Sequence, residues 1–292
     1  MLFATQTEWM TITHGLDQGI DDLMDVGFPA LDVSMFEGMC EYEHAIADDW
    51  KQTADRLRER AAARGVSFVQ AHAPFGGGYE HYTQVLAPQM GRIFDFAGRL
   101  GVHTIVVHPI QRGRYYGHEE ELYQMNMEFY HSLAPLARNA GVRIGIENMW
   151  QHHPVTGYIV DDVCADPKEL CRYYDDLGAP DAFTVNLDLG HVALCGREPE
   201  DAIRTIGHDR LGSLHVHDVN YREDLHTLPG VAKLHWDAIC DALADVHYDG
   251  VLTLEADDFL KGFEPDFRKT ASRFMCERAA YLAEKIEKKK NA

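Results

Sequence analysis

Residues 183–218 read FTVNLDLGHVALCGREPEDAIRTIGHDRLGSLHVHD, in which an apolar run, a helical pattern and a second apolar run follow one another. The first run, Phe183–Asp188, and the last, Gly212–His217, have the length and composition of buried strands. Pro199–Ile206 between them carries a helical pattern. Two strands that are joined through a helix pair in parallel. The stretch therefore predicts one βαβ unit of a parallel sheet.

The same alternation continues in both directions along the chain. Further strands are predicted at Leu2–Gln6, Ala30–Ser34, Ser67–His72, Thr104–His108, Arg143–Glu147 and Val251–Glu255, and further helices at Asp48–Arg64, Gln84–Leu100, Glu119–Ala140, Pro167–Leu177, Trp236–Val246 and Pro265–Glu287. The longest stretch without a predicted element is Trp150–Asp166. Eight strands close an α/β barrel, which needs about 250 residues. We therefore expect a single (β/α)8 TIM barrel domain over residues 1–292.

An open, doubly wound sheet is the competing fold. The glycine run at 76–78 follows a predicted strand but lacks the G-x-G-x-x-G spacing of a dinucleotide-binding loop. We interpret this run as a mobile loop at the end of the strand.

The composition limits the classes of function. The chain carries 47 acidic and 27 basic residues, a formal net charge of −20, which repels nucleic acid. No apolar run is long enough to span a membrane, and the N-terminal MLFATQTEW lacks the features of a secretory signal. The six cysteines show no C-x-x-C pairing, as is typical of reduced thiols. We expect a cytoplasmic protein without a nucleic-acid or membrane partner, and the sequence leaves open whether it forms a homo-oligomer.

Ionisable side chains stand at the carboxyl ends of successive predicted strands. The last four strands contribute Glu147, Asp188, His215 and Glu255. Because these ends meet on one face of a barrel, we expect the four side chains to lie together. Such a group is costly to bury unless a cation pairs with it. His217 points to the same side as His215, so spacing alone does not choose between them.

Three carboxylates and one imidazole form an oxygen-rich set of ligands. One divalent metal fits this set: we expect Mn²⁺ first, and Mg²⁺, Co²⁺, Fe²⁺ or Zn²⁺ as alternatives. The predicted loops add aromatic side chains that are candidates for the pocket wall, namely Trp9, Phe36, Phe75, Trp150 and Tyr158. Trp150, three residues after Glu147, is the strongest candidate for a contact with substrate.

Taken in order and one per strand, these motifs resemble the xylose-isomerase-like barrel superfamily of sugar isomerases and epimerases. The resemblance rests on HAP at His72, HP at His108, EN at Glu147, D-x-x-H from Asp188 to His191, H-x-x-D from His215 and the last-strand Glu255. It implies a metal held by Glu147, Asp188, His215 and Glu255, and thus favours His215 over His217. It also implies that His191 and Arg222 bind substrate.

The resemblance implies proton transfer next to the carbonyl of a sugar or polyol ketone. Glu147 and Glu255 would remove and return the proton as general base and acid, through an enediolate. Return to the opposite face of the same carbon gives an epimer, whereas return to the neighbouring carbon interconverts aldose and ketose. His72 and His108 would bind substrate, or a second metal together with His226.

Two further enzyme classes stay open. Asp224 and His226 form a D-x-H pattern and are candidates for a second metal site. With His72, His108, Glu147, Asp188, His191, His215 and Glu255 they resemble the three-zinc ligand set of apurinic endonucleases. The net charge argues against a DNA substrate. A metal-dependent dehydratase of an inosose or dehydroshikimate-like substrate would use the same enolising step. A non-catalytic binding module is disfavoured, because ligand positions are filled on four strands.

Overall fold

The computed structural model describes residues 1–76 and 78–291. Its strands are β1 (Phe3–Gln6), β2 (Ala30–Ser34), β3 (Ser67–His72), β4 (Thr104–Val107), β5 (Arg143–Glu147), β6 (Trp150–His152), β7 (Ile159–Asp161), β8 (Phe183–Asp188), β9 (Leu211–His215) and β10 (Leu252–Leu254). Its α-helices are α1 (Glu8–His14), α2 (Leu16–Val26), α3 (Cys40–Ile46), α4 (Trp50–Ala62), α5 (Gly78–His81), α6 (Met90–Leu100), α7 (Glu119–Ala140), α8 (Pro167–Leu177), α9 (Leu189–Leu194), α10 (Pro199–Ile206), α11 (Trp236–Asp245) and α12 (Pro265–Lys290). Shorter helical turns lie at Tyr82–Leu86, Ala87–Gln89 and Asp257–Gly262.

Eight parallel strands form one sheet in the order β10-β1-β2-β3-β4-β5-β8-β9. Its two outer strands approach each other just beyond their paired residues. The N–H of Val216 donates to the carbonyl of Thr253 at 2.9 Å, and the N–H of Glu255 donates to the carbonyl of Val216 at 3.1 Å. The sheet is therefore a nearly closed barrel, and the predicted TIM barrel is confirmed.

Helices surround the barrel and bury their apolar faces against it. In α6, for example, Ile93, Phe94 and Ala97 are fully buried. In water, the removal of such apolar faces from solvent supplies most of the stability of surface helices. Among the described residues, no helix combines the length and the apolar character that crossing a bilayer requires.

Several boundaries differ from the predicted ones. Helices α1 and α2, between the first two strands, were not predicted. The helix expected over Gln84–Leu100 begins at Met90, and the residues before it form shorter helical turns, with Pro88 near the start of the second turn. The predicted seventh strand, Gly212–His217, ends at His215. The expected mobile loop at 76–78 includes Gly77, which lies outside the described residues.

The stretch Trp150–Asp166, for which no element was predicted, contains an antiparallel hairpin. Trp150 of β6 pairs with Asp161 of β7, and His152 pairs with Ile159. The two strands form a sheet of their own, outside the barrel. This hairpin follows β5 directly and stands at the carboxyl face of the barrel, where the candidate site lies.

Candidate metal centre

The ends of four consecutive barrel strands bring together the four predicted metal ligands. Glu147 ends β5, Asp188 ends β8, His215 ends β9, and Glu255 follows β10 directly. One ligand atom of each side chain lies within 4.8 Å of those of the other three. Glu147, Asp188 and His215 are fully buried, and Glu255 is nearly so. The register explains the meeting, since Asp188 pairs with His215 and Glu147 with Asn186 in adjacent strands.

His215 lies at the centre of this group. Its Nδ1 atom is 2.6 Å from Glu147 Oε1, 3.1 Å from Glu255 Oε2 and 4.0 Å from Asp188 Oδ2. Burial disfavours the charged imidazole, but the carboxylates of Glu255 and Glu147 raise the pKa of His215 well above its ordinary value. A proton on His215 therefore balances part of the negative charge of these carboxylates.

The two glutamates beside His215 are held in their ionised form. Burial opposes their ionisation, yet the charge of His215 holds the pKa of Glu147 and the pKa of Glu255 well below the usual range. The Oε2 atoms of both side chains are buried and accept no hydrogen bond of good geometry from the described residues. Buried oxygens without such partners, facing an imidazole and a third carboxylate, fit a divalent cation.

Side chains below the ligands fix their orientation. Asn186 Nδ2 donates to Glu147 Oε1 at 3.1 Å, and Gln6 Nε2 donates to Glu255 Oε1 at 2.8 Å. The Asp32 carboxylate lies 3.7 Å from His215 Nε2, so it faces the ring nitrogen that is turned away from Glu147. These residues were not predicted as part of the site. The available signal was a polar residue inside a short, buried strand, which alternation along the strand assigns to one face of the barrel wall.

A second group of ligand atoms adjoins the first. His191, His217, Asp224 and His226 each offer one atom within 4.8 Å of the others. Asp224 Oδ1 is 3.2 Å from His226 Nε2, and Asp224 Oδ2 is 3.5 Å from His191 Nε2. Asp188 joins the two groups, because both of its oxygens lie within 3.1 Å of His217 Nε2. The sequence predicted Asp224 and His226 as candidates for a second metal and His191 as a substrate-binding residue, and it did not place His217 in this group.

In the second group, the histidines and the carboxylates stabilise each other's charged forms. Burial alone would lower the pKa of His191, but the carboxylates of Asp188 and Asp224 raise it to about 10. Burial of Asp224 is likewise outweighed by His191 and His226, which hold the pKa of its carboxyl well below the usual range. The ring of His226 stacks on that of His217, with centroids 4.2 Å apart.

Gly190 makes room for His217. A Cβ atom at this position would lie 2.1 Å from His217 Cε1. Any side chain here would therefore displace the imidazole that contacts Asp188. The sequence D-x-G-H combines a metal-ligand candidate with a close approach that only glycine permits.

Asp218 organises the loop that carries Asp224 and His226. Its carboxylate accepts backbone N–H groups of Gly230, Ala232, Lys233 and Leu234, together with Trp236 Nε1, at 2.7–3.1 Å. Asp218 is fully buried. The aspartate of the H-x-x-D motif, Asp218, therefore holds the loop that carries Asp224 and His226 and is not one of the clustered ligand residues.

His72 and His108 approach the first group from β3 and from the residue after β4. Their Nε2 atoms lie 3.1 Å apart, and His108 Nε2 is 2.9 Å from Glu147 Oε2. His72, Glu147 and His215 form a further set of ligand atoms within 4.8 Å of one another. Burial lowers the pKa of His108, although Glu147 opposes the shift.

Comparison with known proteins agrees with this arrangement of strands. Residues 20–277 match the family described as xylose isomerase-like TIM barrel. The chain belongs to this family. A D-psicose 3-epimerase of Enterocloster bolteae is 31% identical over 123 residues, which are 42% of this chain and 36% of that protein.

Solved structures resemble the whole chain. A D-tagatose 3-epimerase-like protein superimposes with a TM-score of 0.74 at 19% identity, over 98% of this chain and all of that chain. The IOLI protein with a bound zinc atom superimposes with a TM-score of 0.71 at 15% identity, over 98% of each chain. At these identities the likeness establishes the fold that this family member shares with them.

A cavity of about 560 Å³ opens above the ligand groups of this barrel. The predicted substrate-binding residues His72, His108, Trp150 and His191 line it, as do Asp224, His226 and Glu255. Trp150 is fixed by a hydrogen bond from its Nε1 to Asp224 Oδ2 at 3.1 Å.

Arg222 is not among the residues that line this cavity. It lines a neighbouring cleft together with Tyr158. The other aromatic candidates lie in different places. Phe75 lines the central cavity, and Phe36 packs edge-on against His72. Trp9 bonds to Asp258 through Nε1 at 3.0 Å.

Proposed function

We propose that this protein is a divalent-metal-dependent isomerase or epimerase of a sugar or sugar-like ketone. One observation carries the proposal: four buried ligand atoms, from Glu147, Asp188, His215 and Glu255, converge within 4.8 Å at the ends of consecutive strands. The names of similar proteins, a D-psicose 3-epimerase and a D-tagatose 3-epimerase-like protein, support a sugar epimerase in particular.

The four converging side chains would hold the metal. Mn²⁺ suits three carboxylates and one imidazole best, while the zinc atom in the IOLI protein supports Zn²⁺ as an alternative. Bound there, the ion would polarise the substrate carbonyl and stabilise the negative charge that develops on its oxygen. Asp32 would act behind His215, keeping Nδ1 directed at the carboxylates, as outer carboxylates do for metal-bound histidines.

Glu147 and Glu255 would serve as the acid–base pair. Asn186 and Gln6 each hold one oxygen of these carboxylates, so that the Oε2 atoms stay available to a proton. One glutamate removes the proton from the carbon next to the carbonyl, which leaves an enediolate, and the other returns a proton. Return to the opposite face of the same carbon gives the epimer.

The cavity lining favours an uncharged polyhydroxy ketone. His72, His108 and His191 offer ring nitrogens to hydroxyl groups, and Trp150 offers an apolar face. Among the described residues that line the cavity there is no lysine or arginine to bind a phosphate group.

A second candidate function is a zinc-dependent phosphodiesterase. It is favoured by the second ligand group around Asp224 and by the set formed by His72, Glu147 and His215, which together offer places for more than one ion. The net charge of −20 opposes a DNA substrate. Metal stoichiometry separates the two functions, because the phosphodiesterase requires about three ions per chain.

The decisive experiment measures exchange of solvent deuterium into ketoses by the Mn²⁺-loaded protein. We expect exchange at the carbon next to the carbonyl, and a loss of at least about a hundredfold in Glu147→Gln and Glu255→Gln, because each removes a general acid–base group. Glu121→Gln, at a side chain that is 71% exposed, is the control. Absence of exchange across ketoses, inososes and keto acids, with nicking of abasic DNA by protein that holds three zinc ions, would exclude the isomerase.

A further inference from the structure

A second cleft adjoins the central cavity on the side of the β6–β7 hairpin. Its volume is about 680 Å³, and its walls include Tyr158 and Ile159 on one side and Tyr221, Arg222 and Glu223 on the other. His152 lines both the cleft and the central cavity, so the two spaces meet at this side chain. A ligand that occupies both spaces would therefore pass His152.

The hairpin presents Tyr158 from an ordered turn. The N–H of His153 donates to the carbonyl of Tyr158 at 2.7 Å, and the N–H of Gly157 donates to the carbonyl of His153 at 2.8 Å. Arg197 bonds both oxygens of Asp161 at 2.8 Å and ties the hairpin to the barrel. Tyr158 is nevertheless 75% exposed. A large aromatic side chain that an ordered backbone turn presents to water marks a surface on which a ligand can stack.

The opposite wall is equally fixed in its backbone. Asn220 Oδ1 accepts the N–H groups of both Arg222 and Glu223 at 2.9 Å. Tyr221 has a left-handed backbone with φ of 65°, and its hydroxyl donates to Glu198 Oε2 at 2.8 Å. Such a conformation is costly for a residue with a bulky side chain, and strain of this kind concentrates at binding and catalytic sites.

The chemistry of the two walls selects a class of ligand. Arg222 offers several N–H donors and Glu223 offers acceptors, while Tyr158 offers an aromatic face. The neighbouring carboxylate offsets the charge of Arg222, so the cleft does not favour a phosphate or carboxylate group. A pyranose ring meets all three features, because its hydroxyls need donors and acceptors and its C–H face stacks on an aromatic ring.

We propose that the second cleft is a subsite for a glycosyl unit, so that the substrate is a ketose-containing glycoside and not a free monosaccharide. The inference rests on the proposed function, since the ketose unit would occupy the central cavity above Glu147 and Glu255. It gives Arg222 a role in substrate binding at a distance from the ligand atoms. His152 contacts the bond between the two units.

The test compares D-fructose with D-fructose that carries an α-D-glucosyl unit on O4, O5 or O6. Deuterium exchange next to the ketone is measured for each with the Mn²⁺-loaded protein. We expect kcat/KM for at least one of the disaccharides to exceed that for fructose by about tenfold or more, as one added bound unit can supply. Tyr158→Ala and Arg222→Ala lower this ratio by about tenfold.

The control variant is Val155→Ala, which changes a side chain that is 79% exposed on the same hairpin turn but does not line the cleft. It leaves the ratio unchanged. A disaccharide ratio below one for all three linkages, or equal ratios in wild type and Tyr158→Ala, overturns the subsite while fructose exchange still supports the proposed function.

A binding measurement keeps the subsite testable if no ketose exchanges at all. Saturation-transfer NMR detects which sugar protons of the three disaccharides touch the protein. We expect transfer to the glucosyl protons in wild type and its loss in Tyr158→Ala. Absence of transfer to the glucosyl protons in wild type overturns the subsite independently of catalysis.

Discussion

Asp32 is a buried residue that would orient a proposed metal ligand, His215, without being a ligand itself. Its carboxylate accepts a hydrogen bond from Gln70 Nε2 at 3.0 Å and faces His215 Nε2 at 3.7 Å. Replacement of such an outer partner lowers metal affinity by roughly 10- to 100-fold. We therefore expect Asp32→Asn to weaken Mn²⁺ binding by this factor, measured by calorimetric titration.

The control for this prediction is Asp201→Asn, at a side chain that is 78% exposed. It is expected to bind Mn²⁺ like the wild type. Equal affinity in Asp32→Asn, in protein with an unchanged melting temperature, would show that the Asp32 carboxylate does not orient His215.

Gly190 allows a prediction about stability. A methyl group here would meet the His217 ring, whereas at Gly91 the nearest atom to an added Cβ is Leu136 Cδ2 at 3.8 Å. Overpacking of this kind costs about 1–3 kcal/mol. We expect Gly190→Ala to lower the free energy of unfolding by that amount in urea titrations and Gly91→Ala to leave it unchanged or slightly higher. Equal stability of the two variants would contradict the close packing at His217.

The sequence predicted the site residues unevenly, and the reason is geometric. Glu147, Asp188 and Glu255 are each the one acidic residue at the end of a predicted strand, so their position along the strand was enough to select them as candidate ligands. His215 and His217 share one side of the chain, and only the position of neighbouring strands assigns them to different ligand groups. Asp32 faces a partner 183 residues away along the chain, and Gln6 bonds to one 249 residues away, beyond the reach of any local pattern.

At the scale of elements, an ion pair at the end of β7 and a hydrogen bond from Trp150 of β6 to Asp224 hold the β6–β7 hairpin to the barrel. Arg197 binds both oxygens of Asp161, which ends β7. Loss of a bidentate, charge-assisted pair is expected to raise hydrogen exchange in Trp150–Asp161 by about tenfold. Arg197→Ala is the variant, and Arg204→Ala, which loses an exposed pair with Asp245, is its control. Unchanged exchange in Arg197→Ala would show that other contacts fix the hairpin.

The same hairpin was not predicted from the sequence. Its strands have three residues each, too short for an alternating pattern to stand out. The barrel strands were predicted because they are short, largely buried runs with turn residues between strand and helix, whereas the hairpin strands are mostly half-buried. Helices α1 and α2 were missed, although α2 buries Leu16, Ile20, Leu23 and Met24 at helical spacing.

At the scale of the whole molecule, the count of strands predicted closure, because a parallel sheet of eight strands joined by helices has few other ways to hide its edges. The number of strands could not predict which polar residues would be buried in the interior. Glu41 is an example: it is fully buried, far from the ligand groups in sequence, and its Oε1 accepts a hydrogen bond from Thr7 Oγ1 at 2.6 Å.

Burial raises the pKa of the Glu41 carboxyl above its ordinary value of 4.5, and Asp257 adds to the shift, while Thr7 and Thr11 oppose it. A raised pKa means that the folded state holds the proton more tightly than the unfolded chain. This contribution to stability is complete below pH 4.5 and is lost as the pH rises through the folded-state pKa. Glu41→Gln removes the titration, so we expect wild type to lose about 1–3 kcal/mol relative to this variant as the pH rises from 4.5 to 8, the cost of a buried carboxylate with an unpaired oxygen. Urea titrations across this range measure the difference, and parallel profiles for the two proteins would show that Glu41 is ionised in the fold at no cost.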